Sequence, residues 1–261
     1  MTYISAFFTR PKLKAAAIHL AISMGIAALA MGLVYGLWYP SPLHTALGVG
    51  SIFLLIVVID LILGPLLTYV VYTPNKSSLR FDLTVIACVQ IAALLYGLHT
   101  VGSGRPAYMV FTKDRFNLVL AYEVPTIAGT PAKPELLMQN PWAQPLLGYQ
   151  LKSATVPSGV ANYPVLDLMM ASALSGGPDV SNVPAFHTDY REALPAIIAT
   201  SDTFNTLKTT DPIAKARVDA LRAKYPANSL LAALKIKYTV YTVVLRPSDA
   251  AILGIEPVDV F

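Results

Sequence analysis

An acidic residue in the middle of an apolar segment is the least expected feature of this sequence. Asp60 is the only charged residue within Thr45–Tyr72. A carboxylate at the centre of a membrane helix costs at least about 2.5–3.5 kcal/mol, so such residues usually have a function or a partner. Asp60 could serve as a proton relay, contact the transmembrane helix of a partner protein, or clamp neighbouring helices by hydrogen bonds. The groups available for such a clamp are Thr68, Gln90, Tyr96 and His19.

Other residues that carry chemistry do not form a recognisable catalytic or metal-binding pattern. No second ligand stands at a metal-binding spacing from His44 or His99, and His187 is the only histidine after residue 105. The sequence has no Gly-x-Ser-x-Gly nucleophile motif, no phosphate-binding loop and no dinucleotide fingerprint. We therefore expect no catalytic residues, no metal ion and no cofactor, and we do not expect an enzyme.

Three apolar runs determine where these side chains stand. They cover roughly Ala15–Trp38, Thr45–Tyr72 and Leu83–Val101. Each is close to or above the roughly 20 residues that a helix needs to cross a membrane. The sequence therefore predicts a bundle of three transmembrane helices in residues 1–104 and a separate folded domain in residues 105–261.

The positions of the basic residues predict an orientation in the membrane. No Lys or Arg lies in the connection between the first two runs, whereas basic residues precede the first run and separate the second from the third. Short cytoplasmic segments carry such residues, so we expect a cytoplasmic N-terminus and a periplasmic C-terminal domain at a bacterial inner membrane. The charges of residues 105–261 nearly balance, which argues against a nucleic-acid partner. The orienting residues are Arg10, Lys12, Lys14, Lys76 and Arg80.

The second part of the chain reads as an α+β domain with an antiparallel sheet. Pro125–Pro164 is rich in proline and should be irregular, with short helical or strand pieces. Asp211 and Pro212 are a typical helix start, and this helix should end near Lys224. Further predicted helices are Val165–Leu174 and Thr188–Ala199, and we expect Pro195 to interrupt the second of them. Predicted strands or β-rich segments are Ala107–Phe111, Phe116–Val124, Leu234–Leu245 and Glu256–Phe261, and the break at Thr112-Lys113-Asp114-Arg115 between the first two is typical of a hairpin turn.

A block of aromatic and charged residues directly follows the third apolar run. It contains Arg105, Tyr108, Phe111, Arg115 and Phe116. In one interpretation it is a hairpin that packs on its own sheet, with Arg105 reaching toward the membrane interface. In the other, an exposed strand or groove receives a strand from a partner protein.

The order and spacing of several motifs resemble the type IV pilin accessory protein family (the TfpX/TfpZ type). The resemblance is dense over about residues 10–123. The motifs are Trp38-Tyr39-Pro40, Asp60-x3-Gly64-Pro65-Leu66-Leu67-Thr68, Lys76-Ser77-Ser78-Leu79-Arg80-Phe81-Asp82-Leu83, Tyr96-Gly97, Arg105-Pro106-x-Tyr108-x-Val110-Phe111, Asp114-Arg115-Phe116, Leu245-Arg246-Pro247 and Leu253-Gly254-Ile255.

The resemblance implies a chaperone-like accessory protein of the inner membrane that stabilises a type IV major pilin and supports pilus assembly. The bundle would hold the transmembrane helix of the pilin, and the periplasmic domain would cover its head. Besides the pilin and the lipid bilayer, other pilus assembly proteins are further partner candidates. From their chemistry, we expect partner contacts at Asp60, Gln90, Arg105, Tyr108, Phe111, Arg115 and Phe116. We expect structural roles at Trp38, Pro40, Gly64, Pro65, Arg80 and Asp82.

Two other functions fit the same architecture. One is a membrane-anchored enzyme that modifies pilin or glycan on the periplasmic side, which requires polar residues converging on one pocket. The other is a sensor or scaffold without a pilin client.

Overall fold

The computed structural model describes residues 9–127, 137–155, 179–207 and 211–261. The chain divides into two compact units, Met1–Gly102 and Ser103–Phe261.

The first unit contains three long helices, and each is long and apolar enough to cross a membrane. Helix α1 is Arg10–Met31 and continues as the π-helical segment Gly32–Trp38. After the short helix α2 (Leu43–Ala46) come α3 (Val49–Val71) and α4 (Leu79–Ser103). The three predicted spans are therefore confirmed as helices. Helix α1 begins five residues before the predicted apolar run, because Arg10 and Pro11 form its first turn.

The bundle has a narrow core, and most of its surface is apolar. Val34, Phe53 and Val57 are buried together in this core. Trp38 and Tyr39 are also buried there, and the Tyr39 hydroxyl donates to the main-chain carbonyl of Val101 at 2.7 Å. Apolar side chains elsewhere on the helices face outward, as expected of surfaces in contact with lipid.

In the second unit, the described residues form a mixed eight-stranded sheet and a separate two-stranded sheet. The strands are β1 Pro106–Thr112, β2 Arg115–Leu120, β3 Pro125–Ile127, β4 Leu137–Gln139, β5 Gln150–Ala154, β6 His187–Asp189, β7 Asp202–Thr203, β8 Leu230–Ile236, β9 Thr239–Leu245 and β10 Ile252–Glu256. The order in the large sheet is β10-β9-β8-β2-β1-β5-β6, and β7 also pairs with β8. The two-stranded sheet pairs β3 with β4.

The α+β class is confirmed, but the sheet is not purely antiparallel as predicted. Strand β5 runs parallel to β1, and β8 runs parallel to β2. The two hairpins, β1–β2 and β8–β9, are antiparallel because tight turns join them. The two hairpins meet where β2 pairs with β8. A long connection separates these two strands in the sequence, so no local sequence pattern determines the direction of β8.

The hairpin turns explain where the predicted strands begin and end. Lys113 has a φ of +57° in the turn between β1 and β2, where the sequence predicted a break. Lys237 has a φ of +51° and divides the predicted β-rich segment Leu234–Leu245 into the ends of two strands. Alternating apolar residues continue through that turn, so the pattern alone does not reveal it.

The helices of the second unit match the sequence only in part. Helix α6 (Pro212–Lys224) confirms the predicted start, since the Asp211 carboxylate accepts hydrogen bonds from the main-chain N–H groups of Ile213 and Ala214. The predicted helix Thr188–Ala199 is wrong in its first half. Strand β6 and a 3-10 turn occupy that half, and helix α5 (Leu194–Thr200) has Pro195 in its first turn. Proline begins this helix, where its missing N–H costs nothing, and does not interrupt it.

The sequence also predicted a last strand at Glu256–Phe261 and a helix over Val165–Leu174. The last strand is Ile252–Glu256 and not Glu256–Phe261, because β10 must pair with Thr242–Leu245 of the neighbouring strand. The helix predicted over Val165–Leu174 lies outside the described residues.

Helix α6 covers one face of the sheet. Val218 and Leu221 pack against Leu231 and Val244, and all four are buried. A second cluster around Val110 and Val119 lies elsewhere in the domain. Both clusters pack against the large sheet, whose strands β1 and β2 carry Tyr108, Phe111, Arg115 and Phe116.

Candidate functional site

A chain of polar contacts joins the three long helices. His19 on α1 lies 2.6 Å from the Thr68 hydroxyl on α3 through Nδ1 and 2.7 Å from Gln90 Oε1 on α4 through Nε2. The Gln90 amide nitrogen donates to the main-chain carbonyl of Asp60 at 3.1 Å. We call these four residues the polar cluster. Hydrogen bonds between helices are among the contacts that hold membrane bundles together.

The contacts fix which atoms donate. Gln90 Oε1 can only accept, so His19 Nε2 donates to it. In a neutral histidine Nδ1 then accepts a hydrogen bond from the Thr68 hydroxyl. Each polar atom that joins the helices therefore has a partner inside the apolar bundle.

Gly64 makes room for this arrangement. A Cβ atom added at Gly64 would overlap the Gln90 side-chain amide. Any larger residue would push Gln90 away from His19 and Asp60. Pro65 follows within the continuous helix α3. The predicted structural motif Gly64-Pro65 thus stands directly at the polar cluster.

The carboxylate of Asp60 stands apart from these hydrogen bonds. Within the described part of the chain it accepts no hydrogen bond and joins no ion pair. Only its main-chain carbonyl contacts Gln90. Of the clamp partners that the sequence offered for this carboxylate, His19, Thr68 and Gln90 bond to one another. Tyr96 is 76% exposed on the surface of the bundle.

Asp60 lines a cavity of about 310 Å³ formed by α1, α3 and α4. We call this cavity the mid-bundle groove. Its walls are mostly apolar or small, and its polar members are His19, Ser23, Asp60 and Gln90. The remaining lining residues are Ile22, Ile26, Ala27, Val57, Ala87, Ile91, Leu94 and Leu95.

In the second unit, Arg105 is completely buried and anchors a loop. Its guanidinium donates to the main-chain carbonyls of Pro145 at 2.9 Å, Pro141 at 2.9 Å and Gln144 at 3.0 Å. It also lies 5.2 Å from the centroid of the Trp142 ring. Arg105 is therefore a packing residue here and does not reach out to an interface.

Phe111 and Phe116 are buried against each other, with ring centroids 5.3 Å apart. Tyr108 is half-buried, and its hydroxyl donates to Gln144 Oε1 at 3.1 Å. Its ring lies edge-on to the His187 ring, with the ring centroids 4.9 Å apart. Burial raises the pKa of the Tyr108 hydroxyl. The geometry of these residues favours the interpretation that the hairpin packs on its own sheet.

Arg115 is the residue of this block that remains on the surface. It pairs with Asp114 at 2.9 Å, and the hydrogen bond from Arg115 holds the pKa of the Asp114 carboxyl below its usual range. Both residues line a polar cavity of about 520 Å³ at the tip of the β1–β2 hairpin, together with Lys113, Lys235 and Asp179.

The remaining motif residues lie at helix ends. Asp82 is in the first turn of α4, where its carboxylate accepts from Lys76 at 2.6 Å and from the Ser78 hydroxyl at 3.2 Å. Arg80 is exposed in the same turn. Pro40 is half-buried after the π-helical segment that ends at Trp38.

The sequence pointed to the members of the polar cluster but not to their connections. A histidine, a threonine and a glutamine at similar depth in three apolar runs are the signal for such a chain of contacts. Nothing local to Arg105 indicates that carbonyls some forty residues later surround it.

A family model for the fimbrial assembly protein FimB matches residues 7–48. Among curated proteins, the fimbrial assembly protein of serogroup I from Dichelobacter nodosus is 35% identical over 108 residues, which cover 41% of this chain and 42% of the relative. The protein of serogroups C1 and C2 from the same organism is 34% identical over 108 residues, covering 41% of this chain and 82% of the relative.

The serogroup E1 protein of that organism is 32% identical over 108 residues, covering 42% of its length. The chain thus spans less than half the length of two of these relatives and about four fifths of the third. No solved structure matches the chain significantly.

Proposed function

The chain belongs to the family of fimbrial assembly proteins that includes FimB, and on this basis we propose that it is an accessory protein of the bacterial inner membrane. It binds a type IV major pilin and supports the stability of the pilin and its assembly into the pilus. The family membership carries this proposal. The relatives are named as fimbrial assembly proteins, and a pilin is the subunit that such an assembly requires.

The mid-bundle groove supports a contact with the transmembrane helix of the pilin. Lipid tails are as apolar as leucine, so helices associate in membranes through close packing and hydrogen bonds. Ala27, Ala87 and Ser23 leave room for a backbone to approach the groove. A donor on the client helix would give the Asp60 carboxylate the partner that it lacks among the described residues.

The polar cavity at the tip of the β1–β2 hairpin supports a contact with the pilin head. Arg115 and Lys235 stand beside Asp114 and Asp179 there, so the surface can pair with groups of either sign. The hairpin is stabilised by the contact between the Phe111 and Phe116 rings. Arg105, directly before β1, is held by hydrogen bonds to main-chain carbonyls. In the proposed orientation the N-terminus is cytoplasmic and the second unit is periplasmic.

We also propose that the protein acts without catalysis. Two buried titratable groups of the second unit are hydrogen-bonded to main-chain carbonyls. His187 Nε2 bonds to Ser181 O at 2.8 Å, and the Tyr190 hydroxyl donates to Ala250 O at 2.7 Å. Burial raises the pKa of Tyr190 to about 12. These contacts fit a role of both side chains in packing.

In-cell photocrosslinking tests the pilin contact. A photoreactive amino acid is placed at Ser23 or Leu94 in the groove and, separately, at Arg115. The matched control position is Leu29, which is 78% exposed on α1 and does not line the groove. We expect adducts with the major pilin from the groove and from Arg115, and none from Leu29.

The absence of a pilin adduct from both regions, with the protein present at normal levels, would contradict the proposal. Adducts of equal yield from Leu29 would contradict the groove as the contact surface. Pilin levels in cells that lack this protein, compared with cells in which it is restored, give an independent measure of stabilisation.

A further inference from the structure

A second and larger cavity lies beside the N-terminal end of α1. Its volume is about 710 Å³, and α1, α3 and α4 line it. We propose that this cavity binds one anionic phospholipid, with an acyl chain between the helices and the phosphate at Arg10 and Lys14. The proposal does not depend on the pilin contact.

The walls of the cavity suit an acyl chain. Ile18, Ile22 and Leu83 form apolar sides, and Ala15 and Ala87 leave space between them. The apolar part of its lining is much larger than the polar part. A free phosphate ion would leave these apolar walls uncovered, so the lining favours a ligand with a hydrocarbon tail.

The polar groups deeper in the cavity are already satisfied. His19 and Thr68 line it but bond to each other at 2.6 Å. A hydrocarbon chain can therefore lie against them without burying an unpaired donor.

The mouth of the cavity carries two positive charges. Arg10 and Lys14 are four positions apart in the sequence and therefore stand on the same face of the helix. Both line the cavity, and both are exposed. Tyr72, directly after the end of α3, lines the same end. Basic pockets between membrane helices are typical binding sites for anionic lipid headgroups.

Acidic side chains do not oppose this charge. None of the residues that line the cavity is acidic. Asp82 precedes the lining residue Leu83, but its carboxylate is paired with Lys76 at 2.6 Å. The charge at the mouth is therefore complementary to a phosphate.

The test measures lipid capture by the purified full chain without pilin. The protein is placed in phosphatidylcholine nanodiscs containing a small fraction of phosphatidylglycerol with a photoreactive acyl chain. After illumination, mass spectrometry gives the amount of lipid attached and the attachment sites. The double variant Arg10→Gln/Lys14→Gln is compared with Lys12→Gln/Arg80→Gln, which removes the same charge from residues outside the cavity lining.

We expect attachment at Leu83, Ala87 or Ile18, and a loss of about fivefold for each cavity charge removed. The control double variant should retain most of the capture. Inorganic phosphate added in excess should not compete, because it lacks the acyl chain.

A second pair of variants tests the hydrocarbon part of the site while keeping every charge. Ala15→Phe fills the cavity and should reduce capture, whereas Ala17→Phe on the exposed side of α1 should not. Equal losses in both charge variants would show only general attraction to the surface and would overturn the proposal. Attachment confined to other faces, or full competition by phosphate, would also overturn it.

Discussion

Arg105 is buried in the second unit and Asp60 lines the mid-bundle groove, and the two charged side chains have opposite surroundings. Three main-chain carbonyls surround the Arg105 guanidinium. The Asp60 carboxylate has no hydrogen-bond partner among the described residues, although the residues around it are hydrogen-bonded. A charged side chain that has its hydrogen-bond partners in its own domain has a structural role. A charged side chain that has no hydrogen-bond partner in an apolar bundle costs free energy, and it is available to another molecule.

The two environments differ for a physical reason. Arg105 has five N–H groups in a rigid fork, which matches a loop whose carbonyls converge. A carboxylate can only accept, and in the bundle the contacts of Gln90 and Thr68 are directed to the main-chain carbonyl of Asp60 and to His19 instead.

Replacing Arg105 by methionine should lower the free energy of unfolding of the second unit by about 3–5 kcal/mol, because three main-chain carbonyls lose the buried guanidinium that donates to them. Urea unfolding of the full chain in detergent, followed by circular dichroism, measures this loss.

The matched control is Arg115→Met, which removes an exposed ion pair and should cost less than about 1 kcal/mol. If the two variants lose equal stability, Arg105 does not have the anchoring role assigned to it.

Substitution of Gly64 by alanine should destabilise the bundle by about 1–3 kcal/mol, because the added methyl group overlaps the Gln90 amide. Thermal unfolding in detergent provides the measurement. Gly25→Ala is the control, since a Cβ atom there meets no neighbour within 4 Å. Should Gly64→Ala be as stable as Gly25→Ala, the polar cluster would not hold the helices together.

The Asp60→Asn variant should keep the stability of the bundle or raise it slightly, within about 1 kcal/mol, because removing an unpaired charge lowers the cost of burial. Pilin crosslinking from Ser23 should nevertheless fall severalfold in this variant. The two measurements together separate a client contact from a structural one. A loss of bundle stability as large as that of Gly64→Ala would show that the carboxylate is structural and would remove the contrast with Arg105.

Acidification should have the smallest effect, through His187. Burial lowers the pKa of this imidazole below its ordinary value of 6.5, so the folded state favours the neutral form. The contribution of this group to the free energy of unfolding is fully present above pH 6.5, and it is lost as the pH falls through the lowered pKa. Urea midpoints between pH 7.5 and 5 should therefore decline, and the decline should be shallower in His187→Gln. An unchanged slope in that variant would assign the decline to other groups.

The sequence predicted those features that depend on neighbouring residues. Long apolar runs gave the three helices, and Asp211-Pro212 gave the start of α6. The turn at Lys113 was also expected from the break between two strand-like segments. In each case, the deciding interactions occur within a few residues of one another.

Features that depend on distant partners were not predicted. The parallel pairing of β8 with β2 joins segments more than a hundred residues apart. Arg105 was expected near an interface, yet its partners lie in a proline-rich segment for which the sequence predicted irregular structure with short helical or strand pieces. The polar cluster was predicted as a set of possible partners, and its actual connections depend on how three helices pack.

The π-helical segment Gly32–Trp38 has a consequence for the length of the first helix. Its main-chain hydrogen bonds span five residues, as between the Tyr39 N–H and the Val34 carbonyl at 2.7 Å. A π-helical turn contains one more residue than an α-helical turn, so the helix before it and the chain after it keep the relative orientation that they would have without that residue. Deletion of Gly36 should therefore convert the segment to an ordinary α-helix while leaving His19 in phase with Thr68. The chain can thus change length at this point while its interior contacts stay in register.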